Sequence, residues 1–268
     1  RRIKEISPRT IVVFGGPNYP IVPADAEAFL KERPEIDFHV IKEGEVAFAD
    51  LLAALAAAGR DKSAVHGRVA GVHGIDEDGR AHQPAEAERL KDLTAIPSPY
   101  LAGRLDEFFD GKLLPILQTN RGCPFSCTFC VEGTSYYNKV YTSSAEKVAR
   151  ELDYIGRKMH ETRRLGGRND LFIADSNFGM YKDDMDTCRA LADCQTRYSW
   201  PEYINVATGK NLERLGPPCW STETSRFPIV KAISPSLTML TVALTLAPTI
   251  SRCTCRVLLI SRAREMEF

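Results

Sequence analysis

The sequence predicts an α/β protein, a doubly wound parallel sheet in its first part joined to a run of β/α units in its second. Three observations predict this. Short apolar runs at residues 10–14 and 37–41 alternate with helical stretches in the first sixty residues. A second alternation of strand, helix, strand, helix and strand starts near Leu113 and reaches Thr208. Between the two lies a stretch of mixed polarity around Pro97 and Pro99, which reads as a linker and puts the boundary within residues 85–112.

Each element has a local reason. Residues 10–14 form a nearly continuous apolar run that ends in Gly15, Gly16 and Pro17, which suits a strand buried on both faces and then a tight turn. Pro23 can open a helix with Phe29 and Leu30 facing inward, Pro34 closes it, and residues 37–41 make the next strand. Glu43, Gly44 and Glu45 lead into a helix with Phe48, Leu51, Leu52 and Leu55 at helical spacing, stopped by Gly59. In sheets of this kind ligands sit beyond the carboxyl ends of the strands, where the Gly15-Gly16 and Glu43-Gly44 loops both fall. Asp78-Gly79 marks a two-residue hairpin turn after residues 72–75, and His66, His73 and His82 read as a solvated face rather than metal ligands. Further on, residues 113–119 make a strand, and Ser143 with Glu146 forms a capping box before a helix striped by Val148, Leu152, Ile155 and Met159. Strands at residues 171–174 and 203–208 follow, with Asp175, Asn177, Thr208 and Lys210 at their carboxyl ends, where β/α barrels keep reactive groups. A helix-capping role for Asp175 and Asn177 stands beside that reading.

Composition narrows the function. The 268 residues are 44% hydrophobic, enough for a sizeable core, and 35 basic residues balance 35 acidic ones, so no global field draws in nucleic acid or an anionic membrane. The weakly polar run 237–250 is too short and too rich in threonine to span a bilayer, and the charged start lacks an apolar signal segment, so a cytoplasmic location is expected. Of eight cysteines, Cys123, Cys127 and Cys130 fall within eight residues, and the other five are scattered. Such a cluster points to metal or redox chemistry rather than a disulfide scaffold.

The cluster has the spacing Cys-x3-Cys-x2-Cys on a loop after a strand. Three thiolates on a short loop can hold one compact metal centre. A structural zinc site takes four protein ligands, and no fourth Cys or His follows at finger or ribbon spacing. A cubane iron–sulfur cluster held by three cysteines instead keeps one iron open to a small molecule.

At these residues, with the Arg121-Gly122 lead-in and Phe129 just before the last cysteine, the sequence resembles the radical S-adenosylmethionine (SAM) superfamily. The order of Gly15-Gly16-Pro17, Glu43-Gly44-Glu45, hairpin, the segment 96–100 and cluster loop is similar to its cobalamin-binding class. The resemblance covers residues 10–215. It implies part of a Rossmann-like cobalamin-binding domain at 1–62, a hairpin and linker at 63–112, and part of a TIM-type radical SAM barrel at 113–215. It also implies a [4Fe–4S] cluster on Cys123, Cys127 and Cys130, and SAM contacts from Phe129, Asp175, Asn177 and Lys210. Cobalamin contacts fall on Gly15, Gly16, Glu43 and Gly44. Two departures stand out. The family's Asp-x-His-x-x-Gly loop would precede this sequence, and the commoner Gly-Gly-Glu of the SAM site is missing.

The implied reaction is reductive cleavage of SAM to a 5′-deoxyadenosyl radical, with cobalamin-linked methyl transfer to a small molecule and electrons from a donor such as flavodoxin or ferredoxin. A radical oxidoreductase or rearrangement enzyme without cobalamin is the nearer alternative, and an electron-transfer protein or a zinc module the more distant one. Residues 217–268 contain no Gly, Asp, Asn, Gln, His or Tyr but 13 Ser or Thr. About three or four glycines would be usual there, so the atypical tail, residues 216–268, reads as truncated or out-of-frame sequence and the whole as a fragment.

Overall fold

The computed structural model describes residues 1–163, 166, 168–208 and two strand segments, 230–232 and 239–243. It divides into two compact units, residues 1–90 and 91–268.

The first unit carries helices α1 (Arg2–Ile6), α2 (Pro23–Lys31) and α3 (Gly44–Ala57), and a sheet in the order β1 (Val13–Gly15), β2 (Phe38–Val40), β3 (Val72–Ile75), β4 (Ala81–His82). β1 and β2 are parallel, in the register Val13↔Phe38 to Gly15↔Val40, with α2 as their crossover. β3 then joins β2 antiparallel, so the sheet runs on into residues that the sequence reading sets aside as hairpin and linker. The hairpin loop spans residues 76–80 rather than two residues, because the Asp76 carboxylate accepts the N–H groups of Asp78 and Arg80.

The core of this unit gathers Phe38, Val40, Ala47, Leu51, Leu55, Val65, Val69 and Val72. On α3 the buried stripe is Ala47, Leu51 and Leu55, while Phe48 and Leu52, expected inside, are exposed. The histidines expected on a solvated face are half-buried instead. His66 packs between the Phe38 ring at 4.7 Å and the His82 ring at 5.4 Å, and Tyr19 Oη lies 3.1 Å from His73 Nδ1. Burial is the leading cause that lowers the pKa values of His66 and His73.

In the second unit, a five-stranded sheet has the order β10 (Val230–Ala232), β11 (Met239–Ala243), β9 (Tyr203–Thr208), β8 (Asp170–Phe178), β5 (Ile116–Leu117). β5, β8 and β9 are parallel neighbours, and β11 joins β9 antiparallel. A separate ribbon pairs β6 (Asn120–Arg121) with β7 (Tyr141–Thr142) and closes the long excursion between them. Helices α4 (Ala145–Thr162) and α5 (Asp184–Tyr198) follow. The rest of the atypical tail, with Cys219, Cys253 and Cys255, lies outside the described residues, and so does Lys210.

The expected stripe on α4 is buried in full: Val148, Leu152, Ile155 and Met159 pack with Leu171, Ile173, Leu191 and Val206. Its cap falls one residue later than the capping box predicts. Ser143 N–H is tied to the Thr119 carbonyl at 2.8 Å, so Ser144 becomes the N-cap and its hydroxyl accepts from Lys147 N–H at 3.2 Å.

α4 and α5 are in close contact at Gly156, where an added Cβ would meet Cys194 Sγ at 2.3 Å and a Tyr198 ring carbon at 2.8 Å. Gly156→Ala therefore sets about 1 kcal/mol of helix propensity against about 1–3 kcal/mol of overpacking. The expected outcome is a lower Tm in thermal unfolding, and a raised Tm would show that the interface yields.

Candidate metal and cofactor site

Along β8, Leu171, Ile173, Asp175 and Asn177 are all buried, and the residues between them are less so. Period-two alternation thus puts two polar side chains on the face whose earlier positions hold the α4 and α5 core. Both residues lie within the strand, so neither caps the following helix. β8 runs four residues past the strand read from the sequence, with a register irregularity against β9 between Ile173 and Phe178.

Asp175 is 1% exposed, and its carboxylate accepts four donors. Thr119 N–H reaches Oδ1 at 2.7 Å and Asn120 N–H reaches it at 3.2 Å. The Asn120 amide reaches Oδ2 at 2.9 Å, and the Thr119 hydroxyl also donates to Oδ2. Burial still outweighs these bonds and raises the Asp175 pKa to about 6. With both oxygens engaged, the carboxylate holds the end of the β5 segment rather than facing a ligand, which changes the role expected for it as a SAM contact.

Three residues after Asn120, Cys123 begins the cysteine loop. Cys123 N–H donates to the Tyr137 carbonyl at 2.9 Å, and Cys130 N–H to the Cys127 carbonyl at 3.1 Å. Two glycines permit this close folding. A Cβ on Gly122 would lie 2.3 Å from the Lys139 oxygen, and one on Gly133 would lie 2.2 Å from the Cys127 oxygen. Cys123, Cys127 and Cys130 are half-buried and none forms a disulfide. The Phe129 ring beside them is 84% exposed. From β8, the Asn177 amide donates to Cys123 Sγ at 3.3 Å. Among the described residues, no three His, Cys, Asp or Glu side chains converge as a site for a single metal ion.

The connection from β8 to α5 is folded around a second buried carboxylate. Asp184 Oδ2 accepts Gly179 N–H at 2.8 Å and Tyr181 N–H at 2.9 Å, and burial raises its pKa to about 6 as well. Thr119, Asn120, Tyr181 and Asp184 escape the sequence reading. The one available signal is a Thr-Asn pair directly after an apolar strand, which looks like any strand end.

In the first unit, Gly15 ends β1 and Gly16 follows with φ +111° and open space where a Cβ would stand. Gly44 opens α3 two residues beyond Lys42, and the parallel pairing of β1 and β2 brings these loops to one sheet edge. Glu43 is engaged within the protein: Arg89 Nε donates to its Oε1 at 2.8 Å, with side chains 7% and 10% exposed. Arg89 is a partner that the sequence reading does not identify. No helix among the described residues is long and apolar enough to cross a membrane.

No protein-family model matches the chain. Most of its length is nonetheless similar to parts of curated methyltransferases, one of them named as a cobalamin-dependent radical SAM methyltransferase. It is 35% identical over 217 residues to the 2-(S-pantetheinyl)-carbapenam-3-carboxylate methyltransferase of Streptantibioticus cattleyicolor, covering 79% of this chain and 30% of that protein. To the cobalamin-dependent radical SAM methyltransferase TokK of Streptomyces tokunonensis it is 33% identical over 215 residues, covering 78% and 29%. Among solved structures, the radical SAM methyltransferase TsrM from Kitasatospora setae, with cobalamin and a [4Fe–4S] cluster bound, aligns with TM-score 0.46 at 19% identity, covering 70% of this chain and 35% of that one. The chain thus spans about three tenths of the length of the curated relatives it matches.

A raised carboxyl pKa means that the folded state binds the extra proton between the unfolded value, 3.8, and about 6. Stability carried by Asp175 is therefore present below that window and falls as pH rises through it. Asp175→Asn removes this dependence. Denaturant titrations from pH 4 to pH 7 should show the parent protein losing on the order of 2–3 kcal/mol relative to the variant.

Proposed function

We propose that this chain carries the cluster-bearing and cobalamin-facing segments of a radical SAM enzyme that transfers a methyl group to a small molecule. The observation that carries the reading is the loop of Cys123, Cys127 and Cys130, three thiols without a disulfide, entered from the end of a parallel strand and met from the next strand by the Asn177 amide. The donor set is soft and sulfur-rich, as iron–sulfur clusters require. Gly133 lets the turn after Cys130 pack against the Cys127 backbone.

When bound, a [4Fe–4S] cluster supplies the electron for reductive cleavage of SAM, and cobalamin carries the methyl group. The protein's part is to hold and orient. Asp175 fixes where the cluster loop leaves the sheet, and Asn177 donates to Cys123 Sγ. The exposed Phe129 ring offers a flat apolar surface for the adenine of SAM. Gly15, Gly16 and Gly44 leave the sheet edge of the first unit open for the cobalamin tail, and Glu43 with Arg89 braces the start of α3 behind them. Lys210, outside the described residues, keeps its proposed place at the SAM site. A Rossmann-like first part and a barrel-like second part, a cytoplasmic setting and a flavodoxin- or ferredoxin-type electron donor complete the proposal.

Anaerobic reconstitution with iron and sulfide tests it. The reduced protein should give a cluster EPR signal that changes when SAM is added, and Cys127→Ala should lose the cluster. A signal indifferent to SAM, or a Cys127→Ala protein with a full load of iron, would contradict the assignment.

A further inference from the structure

The loop from β1 to α2, residues 16–22, has little backbone bonding of its own to hold it. Among the described residues it makes bends but no hydrogen-bonded turn, and residues 17–21 take part in no backbone–backbone hydrogen bond. Asn18, Ile21 and Val22 are exposed. Tyr19, in the middle of the loop, turns back onto the sheet instead. Its ring stacks on that of His39 from β2, with 3.9 Å between centroids and 20° between planes, and His39 is 3% exposed. Its Oη is hydrogen-bonded to His73 Nδ1 on β3 at 3.1 Å. Phe29 of α2 stands edge-on to both rings, 5.3 Å from Tyr19 and 6.1 Å from His39.

One side chain thus ties the loop to three elements. His39 and His73 are cross-strand partners, and on its other side His39 pairs with Phe14, the residue before Gly15. Tyr19 stands only four residues after Gly15, so a ring fixed on this pair limits where the glycine turn can go. Gly16 depends on such a limit. Its φ is +111°, nothing lies within 4 Å of where a Cβ would stand, and glycine gives up more conformational freedom than any other residue when it is fixed. The clamp holds together by packing and a neutral hydrogen bond. Burial pushes the Tyr19 pKa up to about 12 and lowers that of His73, so neither partner carries charge at neutral pH.

We propose that Tyr19 is a positioning residue for cobalamin: clamped on His39 and His73, it fixes residues 16–22 and so holds the Gly15-Gly16 turn ready for the tail of the cofactor. This rests on the cobalamin-facing reading of the first unit made above. A loop that is already fixed has less freedom left to lose when the ligand arrives. A released loop spends only part of its time in the competent form, and the apparent affinity falls by that fraction. Tyr19 acts through the loop and needs no contact with the cofactor.

The test uses the full 268-residue chain as parent, Tyr19→Phe and Tyr19→Leu, with hydroxocobalamin as the ligand. Tyr19→Phe keeps the stack on His39 and loses the bond to His73, whereas Tyr19→Leu loses both. Amide order parameters of Gly16 and Asn18 are measured by NMR relaxation without ligand, and the hydroxocobalamin Kd by equilibrium dialysis. The order parameters should fall from parent to Tyr19→Phe to Tyr19→Leu while those of α3 stay as they are. The Kd should rise in the same order, by about 3- to 10-fold in Tyr19→Leu. Should Tyr19→Leu fail to fold, Tyr19→Phe decides by itself, with a Kd raised about 2-fold or more by the lost hydrogen bond. Unmoved order parameters, or a loosened loop whose hydroxocobalamin affinity does not fall, would overturn the inference and leave the cobalamin reading standing. A parent chain that binds no hydroxocobalamin would overturn the reading and the inference together.

Discussion

A carboxylate shut away from water is costly unless its oxygens are filled by donors. In this protein Asp175 is filled by two consecutive residues, Thr119 and Asn120, each through its backbone and its side chain. That concentration has a structural effect beyond its own energy. It determines the point at which the chain leaves the parallel sheet, and so the origin of the long excursion that carries the three cysteines. The ribbon of β6 and β7 closes the excursion, and the bond from Ser143 to the Thr119 carbonyl ties the return of the chain to the same place. The loop therefore starts and ends against one buried anchor, although few of its own residues are buried.

One strand serves both the core and the site. The first buried positions of β8, Leu171 and Ile173, hold the hydrophobic seam of α4 and α5, and the next two on the same face, Asp175 and Asn177, hold the loop and its first thiol. A change at the polar end is not free of the apolar end, since both depend on the same strand register. The arrangement also explains why carboxylates with raised pKa values are tolerated here. Asp175 and Asp184 each organise a backbone segment, and the hydrogen bonds they accept oppose a burial penalty that they do not fully cancel.

The first unit follows the same logic with less polarity. Two parallel strands bring a glycine turn and a helix start to one edge, and the buried Glu43–Arg89 pair steadies that helix start from within. A buried pair of this kind contributes little net stability, and its effect is to limit where the backbone can go.

Much of this was legible residue by residue. The α4 stripe, the β9 strand, the glycine turn after β1 and the triad of cysteines all follow from periodicity, glycine placement and spacing, because each depends on neighbours within a few positions in the chain. What the sequence could not reveal were pairings between distant polar groups. Asp175 reads as a strand-end ligand until Thr119 and Asn120 are found around it, 56 and 55 residues away in the chain. Glu43 reads as a loop carboxylate until Arg89 is found beside it, and Asp184 reads as an acid at a helix start until the N–H groups of Gly179 and Tyr181 are found on it. Hydrophobic periodicity is written locally because a helix or strand must present one face to its core. Polar satisfaction is decided only when the tertiary fold brings donor and acceptor together, so the spacing of the thiols and the strand before them were readable from the chain, while the residues that hold their loop in place were not.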